Sequence, residues 1–247
     1  SDLYREHPDW AIHIDEREGV QSRNQMVLDL SRDEVCEYVI NAVSNILANA
    51  NIEYVKWDMN RQLTDMPRLG YNHEYTLGYY KIMSAITEKF PNILFEGCSS
   101  GGGRFDAGVL AYMPQIWTSD NSDAIARLKM QYSTSMCYPV YSISSHVTAS
   151  PNHQCGRDTS LKTRADVAYC GTFGYELDVT KMSDEEFEEI KAQIRFEKRI
   201  QDLMCNGDLY RLINPYETNY CSWEVVSKDK KHIFVMACKV LAVAQTK

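Results

Sequence analysis

The stretch YVKWDMNR, residues 54–61, decides the fold, because its polar residues recur at every second position. A β-strand alternates its two faces with a period of two, so Lys56, Asp58 and Asn60 would point the same way. The apolar residues around them predict a strand over residues 52–58 that is buried and not at a sheet edge. Because unpaired buried charge is costly, a polar row at the end of such a strand predicts a functional site.

Strands and helices alternate along most of the chain. Helices are predicted over residues 31–51, 73–90, 122–136, 160–173 and 183–204, and strands over residues 52–58, 92–97, 116–120, 138–147 and 173–179. Two of the helix starts carry a capping box, Ser31 with Glu34 and Ser183 with Glu186. Alternation of this kind predicts βα units on a parallel sheet.

Chemistry in such sheets gathers at the carboxyl ends of the strands. Polar residues stand there in four of the five units: Asp58, Cys98 with its glycine run, Asp120 with Asp123, and His146. Five units predict an α/β fold, a (β/α)8 TIM barrel that is three strands short. From residue 207 the apolar positions alternate around a Lys-Asp-Lys turn, which predicts the start of an antiparallel β-domain. The predicted domains are therefore residues 1–206 and 207–247.

Composition places the chain among soluble globular proteins, with 247 residues, 44% apolar content and 24% charged content. The net charge of −8 argues against nucleic acid as a partner. No apolar run approaches a membrane span and no signal peptide opens the chain, although the first residue is not Met. The eight cysteines form no C-x-x-C pair, which argues against a zinc site and favours free thiols in a cytoplasmic protein.

Asp58 and Asp120 end two predicted strands, and in a closed barrel both side chains would face one mouth. Retaining glycosidases need two carboxyl groups about 5 to 5.5 Å apart, one as nucleophile and one as acid/base. The alternative is that the aspartates cap the helices that follow them. For Asp123, which stands just inside SDAIARL, the capping and functional roles are equally well supported.

The run CSSGGGRFD, residues 98–106, could cradle a phosphate, but it lacks the G-K-[ST] ending of a nucleotide-binding loop. Its glycines would equally let the backbone approach a sugar ring. Cys98 could be a nucleophile, yet the absence of a papain-type context favours packing or substrate contact. His146 and His153 could ligate a metal, but no carboxylate or cysteine stands at a regular ligand spacing, which favours hydrogen-bonding roles.

Several long stretches together resemble the α-galactosidases, or melibiases, of glycoside hydrolase family 36. They are KWDMNR from residue 56, CSSGGGRFDAGVLAYMPQIWTSDNSDAIARL from residue 98, SSHVTASPNHQ from residue 144 and GTFGYELDVTKMS from residue 171. The resemblance runs over nearly the whole chain. It implies an N-terminal β-supersandwich, a (β/α)8 catalytic barrel and a C-terminal β-sandwich, whose truncated start would be residues 207–247. The implied activity is hydrolysis, with retention, of terminal α-galactosyl residues from melibiose, raffinose and stachyose through a covalent galactosyl-enzyme.

The resemblance also implies roles for matching residues. The aspartate of the KWD motif is the nucleophile, Asp58, and the first aspartate of the W-x-S-D-x-[ST]-D motif is the acid/base, Asp120. The residues that match galactose contacts are Arg23, Lys56, Asn60, Cys98, Ser99 and Gly101. Lys56 is expected to stabilise the negative charge of Asp58. The expected partners are α-galactoside oligosaccharides, with no cofactor, no metal, no nucleic acid and no membrane.

The family's Asp-Asp pair, which holds galactose hydroxyls, lies on an earlier barrel strand and has no counterpart after Ser1. We therefore expect the isolated chain to be a piece of the enzyme and inactive or nearly so. Two other functions stay open: galactosyl transfer of the raffinose-synthase type on the same scaffold, and an inactive carbohydrate-binding fragment. Homo-oligomerisation of the parent enzyme is also left open.

Overall fold

The computed structural model describes residues 1–17, 19–22 and 24–241. The chain divides into two compact units, Ser1–Pro114 and Gln115–Lys247. The first unit contains α1 Asp2–Glu6, α2 Asp33–Asn49, β1 Tyr54–Asp58, α3 Tyr71–Lys89 and β2 Leu94–Cys98. β1 and β2 pair in parallel, with Lys56 opposite Glu96 and Asp58 opposite Cys98.

The core of the first unit lies where α3 packs beside α2. Its fully buried side chains include Val35, Ile82, Met83, Ile86, Phe95 and Met113. Gly78 permits the close approach of α3 to the segment before α2, because a Cβ there would come within 1.7 Å of the Leu30 carbonyl oxygen. A larger residue at this position would force the two segments apart.

Two expectations for this unit are wrong. The capping box of Ser31 with Glu34 does not form, because Asp29 accepts hydrogen bonds from both the hydroxyl and the N–H of Ser31. The helix α2 begins at Asp33 instead, with Arg32 as its N-cap residue. β1 is not a buried strand: among the described residues it pairs on one side only, and its side chains alternate between exposed and half-buried.

The second unit begins with β3 Gln115–Trp117, α4 Ala124–Thr134, β4 Ile143–Thr148, α5 Leu161–Ala168, β5 Thr172–Glu176 and α6 Asp184–Asn206. β3, β4 and β5 lie side by side in parallel register. The capping box of Ser183 with Glu186 is confirmed at the start of α6. Both of its hydrogen bonds satisfy N–H groups that the first helical turn leaves without partners.

The same unit ends in an antiparallel sheet of β6 Asp208–Ile213, β7 Tyr220–Val226 and β8 Ile233–Lys239. The predicted turn at residues 228–230 joins β7 to β8, so the antiparallel hairpin is confirmed. Trp223 anchors the sheet to the helices, because it packs in one cluster with Leu128 and Val167 and its indole N–H donates to the Cys170 sulfur at 2.7 Å. The change of architecture near residue 207 thus matches the sequence pattern.

Two further observations concern the whole described chain. All eight cysteines are free thiols, four of them buried: Cys36, Cys98, Cys170 and Cys221. Within residues 1–17, 19–22 and 24–241, none of the helices combines the length and the apolar character that crossing a membrane requires.

Candidate active site

Three of the predicted site residues lie in the second half of β1 or directly after it. Asp58 is the last residue of the strand and is exposed, as a group that meets a substrate must be. Asn60 lies just beyond it and donates from Nδ2 to the Asp58 Oδ2 at 2.6 Å. Lys56 lies two residues before Asp58 on the same face of β1. The local sequence pattern therefore places an ammonium, a carboxylate and an amide together in one row.

Cys98 lies opposite Asp58 on β2 and is only 5% exposed. Burial raises the pKa of the Cys98 thiol to about 11, and a hydrogen bond to the negatively charged Asp58 acts in the same direction. The thiol consequently stays protonated at neutral pH. Because the thiolate is the nucleophilic form of cysteine, this environment suits a hydrogen-bond donor and not a nucleophile.

The loop after β2 folds back onto the end of β1. Ser100 and Gly101 both have left-handed backbone conformations, with φ values of 47° and 87°. The Ser99 hydroxyl donates to the Met59 carbonyl at 2.8 Å, and the Ser100 hydroxyl donates to the Asn60 Oδ1 at 3.1 Å. Since Asn60 accepts on one side of its amide and donates to Asp58 on the other, the loop sets the orientation of that amide.

Arg104 holds the two strand ends together, a role that was not predicted from the sequence. Its guanidinium donates to the carbonyls of Cys98 at 2.7 Å and Trp57 at 3.3 Å, and it lies over the Tyr79 ring at 4.7 Å. These hydrogen bonds connect the ends of the two strands that carry Asp58 and Cys98. The only sequence signal was an arginine directly after the glycine run.

Arg23, the remaining predicted sugar contact of this unit, lies outside the described residues. The segment on either side of it is tied to the end of β1 by Arg61, a largely buried residue. The Arg61 guanidinium donates to the Val20 carbonyl at 2.5 Å and to the Gln25 carbonyl at 3.2 Å. Arg61 thus links this segment to the strand that carries Asp58.

A cavity of about 570 Å³ in the first unit adjoins this cluster, because Ser99, Ser100 and Arg104 are among its lining residues. Its other lining residues include Met59 and Arg61, which flank Asn60 in the sequence, and Tyr75 and Tyr79 of α3. Asp58 does not line it. The carboxylate in its lining is Asp106.

In the second unit, Asp120 lies three residues past the end of β3 and is exposed. Its carbonyl accepts a hydrogen bond from the Gln154 side chain at 2.8 Å. Asp120 lines a pocket of about 420 Å³ together with Trp117, Ser122, Thr148, Ala149, His153, Gln154 and Glu176. Six of its eight lining residues are polar or charged, so the pocket offers hydrogen-bonding groups to a hydroxyl-rich ligand.

Of the two histidines considered as metal ligands, His146 has the hydrogen-bonding role that the sequence favoured. His146 stacks on Trp117 at 4.6 Å, and its Nδ1 lies 3.2 Å from the Glu176 carboxylate. His153 lines the pocket with Asp120. No group of three potential metal-ligating side chains occurs among the residues that the structure describes.

Asp123 is the N-cap residue of α4, which settles its competing roles in favour of the structural one. Its carboxylate is 4% exposed, accepts from the Ala126 N–H at 3.0 Å and pairs with Arg157 at 3.1 Å. These contacts satisfy the first turn of the helix and compensate the buried charge.

We predict that Asp123→Ala lowers the free energy of unfolding by about 1 to 2 kcal/mol, because the cap is lost. Asp123→Asn should cost clearly less, since asparagine caps helices about as well as aspartate. Urea denaturation of the three proteins measures both differences. Equal losses for the two variants would show that the ion pair with Arg157, and not the cap, supplies the stability.

Comparisons with known proteins give concordant matches. The Melibiase family profile matches residues 1–207. The chain is 51% identical to α-galactosidase AgaA of Geobacillus stearothermophilus, in an alignment that covers 99% of this chain and 35% of AgaA. It is 46% identical to α-galactosidase Mel36A of Lactobacillus acidophilus, covering 99% of this chain and 34% of that relative. The chain thus spans about a third of the length of these relatives.

Solved structures agree with the sequence matches. The crystal structure of AgaA superimposes with a TM-score of 0.95 at 50% identity, covering 100% of this chain and 36% of AgaA. Variants of AgaA in complex with raffinose and with stachyose each give a TM-score of 0.96 at the same identity and the same coverage of both chains. The predicted fold class, an incomplete (β/α)8 barrel followed by the start of an antiparallel β-domain, is thereby confirmed.

Proposed function

The chain belongs to the melibiase family, the α-galactosidases of glycoside hydrolase family 36, and on that basis we propose that it carries the catalytic residues of a retaining α-galactosidase. The substrates are α-galactosides with a terminal non-reducing galactose, such as melibiose, raffinose and stachyose. Similarity to AgaA, whose variants were solved with raffinose and stachyose, supports this substrate class.

One observation carries the proposal more than any other. The exposed carboxylate of Asp58 accepts a hydrogen bond from the Asn60 amide at 2.6 Å and lies opposite Cys98 in the strand register. A nucleophile must keep one orientation while its remaining lone pairs point at the reacting carbon. An amide donor that the neighbouring loop orients, on an exposed carboxylate at a strand end, meets this requirement.

The proposed reaction has two steps. In the first, Asp58 attacks C1 of the galactosyl residue from the β face, and Asp120 gives its proton to the departing glycosidic oxygen. In the second, water attacks C1 from the α face, Asp120 takes the water proton, and the ester bond to Asp58 breaks. Two inversions at C1 leave the released galactose in the α configuration.

The remaining predicted site residues bind the galactose ring in this proposal. Lys56 and Asn60 contact ring hydroxyls from the strand end, and Arg23 does so from the segment that Arg61 tethers. The loop after β2 contributes Cys98, Ser99 and Gly101, with the glycine leaving room for the sugar. No cofactor is required, because all of these steps use protein side chains and water.

We further propose that residues 1–206 belong to the (β/α)8 catalytic domain and that residues 207–247 open a C-terminal β-sandwich. The end of α6 at Asn206 and the start of β6 at Asp208 support this boundary.

The test is a hydrolysis assay of a full-length enzyme that contains this sequence, with raffinose and an aryl α-galactoside as substrates. Release of galactose in the α configuration, followed by NMR, supports the proposal. Release in the β configuration contradicts the retaining mechanism. Predominant transfer of galactose at high acceptor concentration would instead favour the raffinose-synthase type of activity.

We predict that the 247-residue chain assayed alone is about 10²-fold or more slower than full-length AgaA on the same aryl α-galactoside. Its described residues supply five parallel strands, two in the first unit and three in the second, whereas the barrel needs eight. The substrate would then be held poorly even with Asp58 and Asp120 present. Turnover within about tenfold of AgaA would contradict this expectation.

A further inference from the structure

Glu96 is the most deeply buried carboxylate side chain described in the first unit, with 0% exposure. It lies in the middle of β2, directly opposite Lys56 on β1. A carboxylate in the protein interior is destabilising unless charged or hydrogen-bonding partners compensate it, and an apolar side chain would pack there without that cost. The position of Glu96 in the sheet therefore calls for a functional explanation.

Two residues of β1 contact this carboxylate. The Tyr54 hydroxyl donates to Oε2, and the Lys56 ammonium lies 3.6 Å from Oε1. Tyr54 and Lys56 share a face of the strand, so the carboxylate is bound by a phenol on one side and an ammonium on the other. The phenol fixes the plane of the carboxylate, and the ammonium lies against its other oxygen.

Lysine needs such a partner in order to hold one position. Its ammonium sits on a flexible four-carbon stem, and the Lys56 side chain is 34% exposed. Glu96 is buried in a strand and cannot follow the ammonium into solvent. The pair therefore joins a rigid anion in the sheet to a mobile cation on the surface of the site.

We propose that Glu96 is a positioning residue that holds the Lys56 ammonium beside Asp58, where it meets a hydroxyl of the galactose ring. This inference rests on the proposed role of Lys56 as a sugar contact. Glu96 lies beneath Cys98 on the same face of β2, two residues away, and acts through Lys56 without touching the substrate.

The test is a double-mutant cycle in a full-length enzyme with Lys56→Met, Glu96→Gln and the double variant. Glutamine keeps the shape and an acceptor for Tyr54 but removes the charge that holds Lys56. We expect Glu96→Gln to raise the galactose inhibition constant and KM, and to lower kcat/KM on the order of 10²-fold. In the Lys56→Met background the same substitution should change kcat/KM by no more than about twofold, because its effect passes through Lys56.

Tyr54→Phe is the matched control, since it removes the other partner of Glu96 and leaves Lys56 in place. We expect it to lower the thermal midpoint while KM stays within about threefold of the parent. If Glu96→Gln does not fold, Glu96→Asp takes its place, because it keeps the charge but withdraws it by one methylene group. Thermal unfolding identifies variants that are folded.

The outcomes distinguish the role of Glu96 from the proposed α-galactosidase activity. A Glu96→Gln loss that is equally large with and without Lys56 would assign Glu96 a purely structural role and overturn the inference. An unchanged KM and kcat/KM in Lys56→Met would remove Lys56 from the sugar site, and the inference with it, while the α-galactosidase activity of the parent enzyme would still stand.

Discussion

Asp58→Gly should reduce hydrolysis in a full-length enzyme by about 10⁴- to 10⁶-fold, the range seen when a hydrolase loses a member of its catalytic group. Asp58 forms the covalent bond in the proposed first step, and no neighbouring side chain can replace it. Cys98 is closest in the sheet register, but its thiol has a pKa of about 11 and stays protonated. The measurement is kcat/KM on an aryl α-galactoside.

Added azide should restore part of this activity, because glycine leaves space for a small anion on the β face of the sugar. The rescued product is then β-galactosyl azide, formed by a single inversion at C1. The parent enzyme with azide is the control, and thermal unfolding checks that the variant is folded. An α-galactosyl azide product would mean that another residue is the nucleophile.

Asp120→Ala should slow raffinose hydrolysis by about 10²- to 10⁴-fold, the usual contribution of general acid–base catalysis. Raffinose has a poor leaving group that needs a proton as the glycosidic bond breaks. An activated aryl α-galactoside has a leaving group that departs as an anion, so its first step should be affected far less. Comparing kcat/KM for the two substrates measures this difference.

Asp123→Ala is the matched control for this experiment, because Asp123 caps α4 and its carboxylate is buried. It should affect both substrates alike if it acts only through stability. Equal losses on raffinose and on the aryl substrate in Asp120→Ala would exclude Asp120 as the proton donor. The ratio between substrates therefore identifies the acid/base residue independently of protein stability.

Features that depend on short spacing along the chain were predicted correctly from the sequence. Alternation of Lys56 and Asp58 indicated a strand with one polar face, and Ser183 with Glu186 indicated the start of α6. The turn at residues 228–230 indicated the hairpin of β7 and β8. In each case the physical cause is local, because backbone periodicity and capping involve residues only two to four positions apart.

The capping box predicted at Ser31 does not form, although its residues have the required spacing. Ser31 and Glu34 have the spacing of a capping box, but Asp29 takes the Ser31 hydroxyl and Arg32 pairs with Glu34. Two local patterns compete there, and their relative strength depends on packing around α2. Spacing alone does not rank them.

Only the tertiary structure decided which residues support the candidate site. Lys56 and Glu96 are 40 positions apart and meet because β1 and β2 pair in one register. Asp123 and Arg157 meet across a similar separation and assign Asp123 to the cap of α4. A shift of the strand pairing by a single residue would turn Glu96 away from Lys56. Such a register is set by the packing of whole elements, so periodicity within one strand determines which way a side chain points but not which partner it meets.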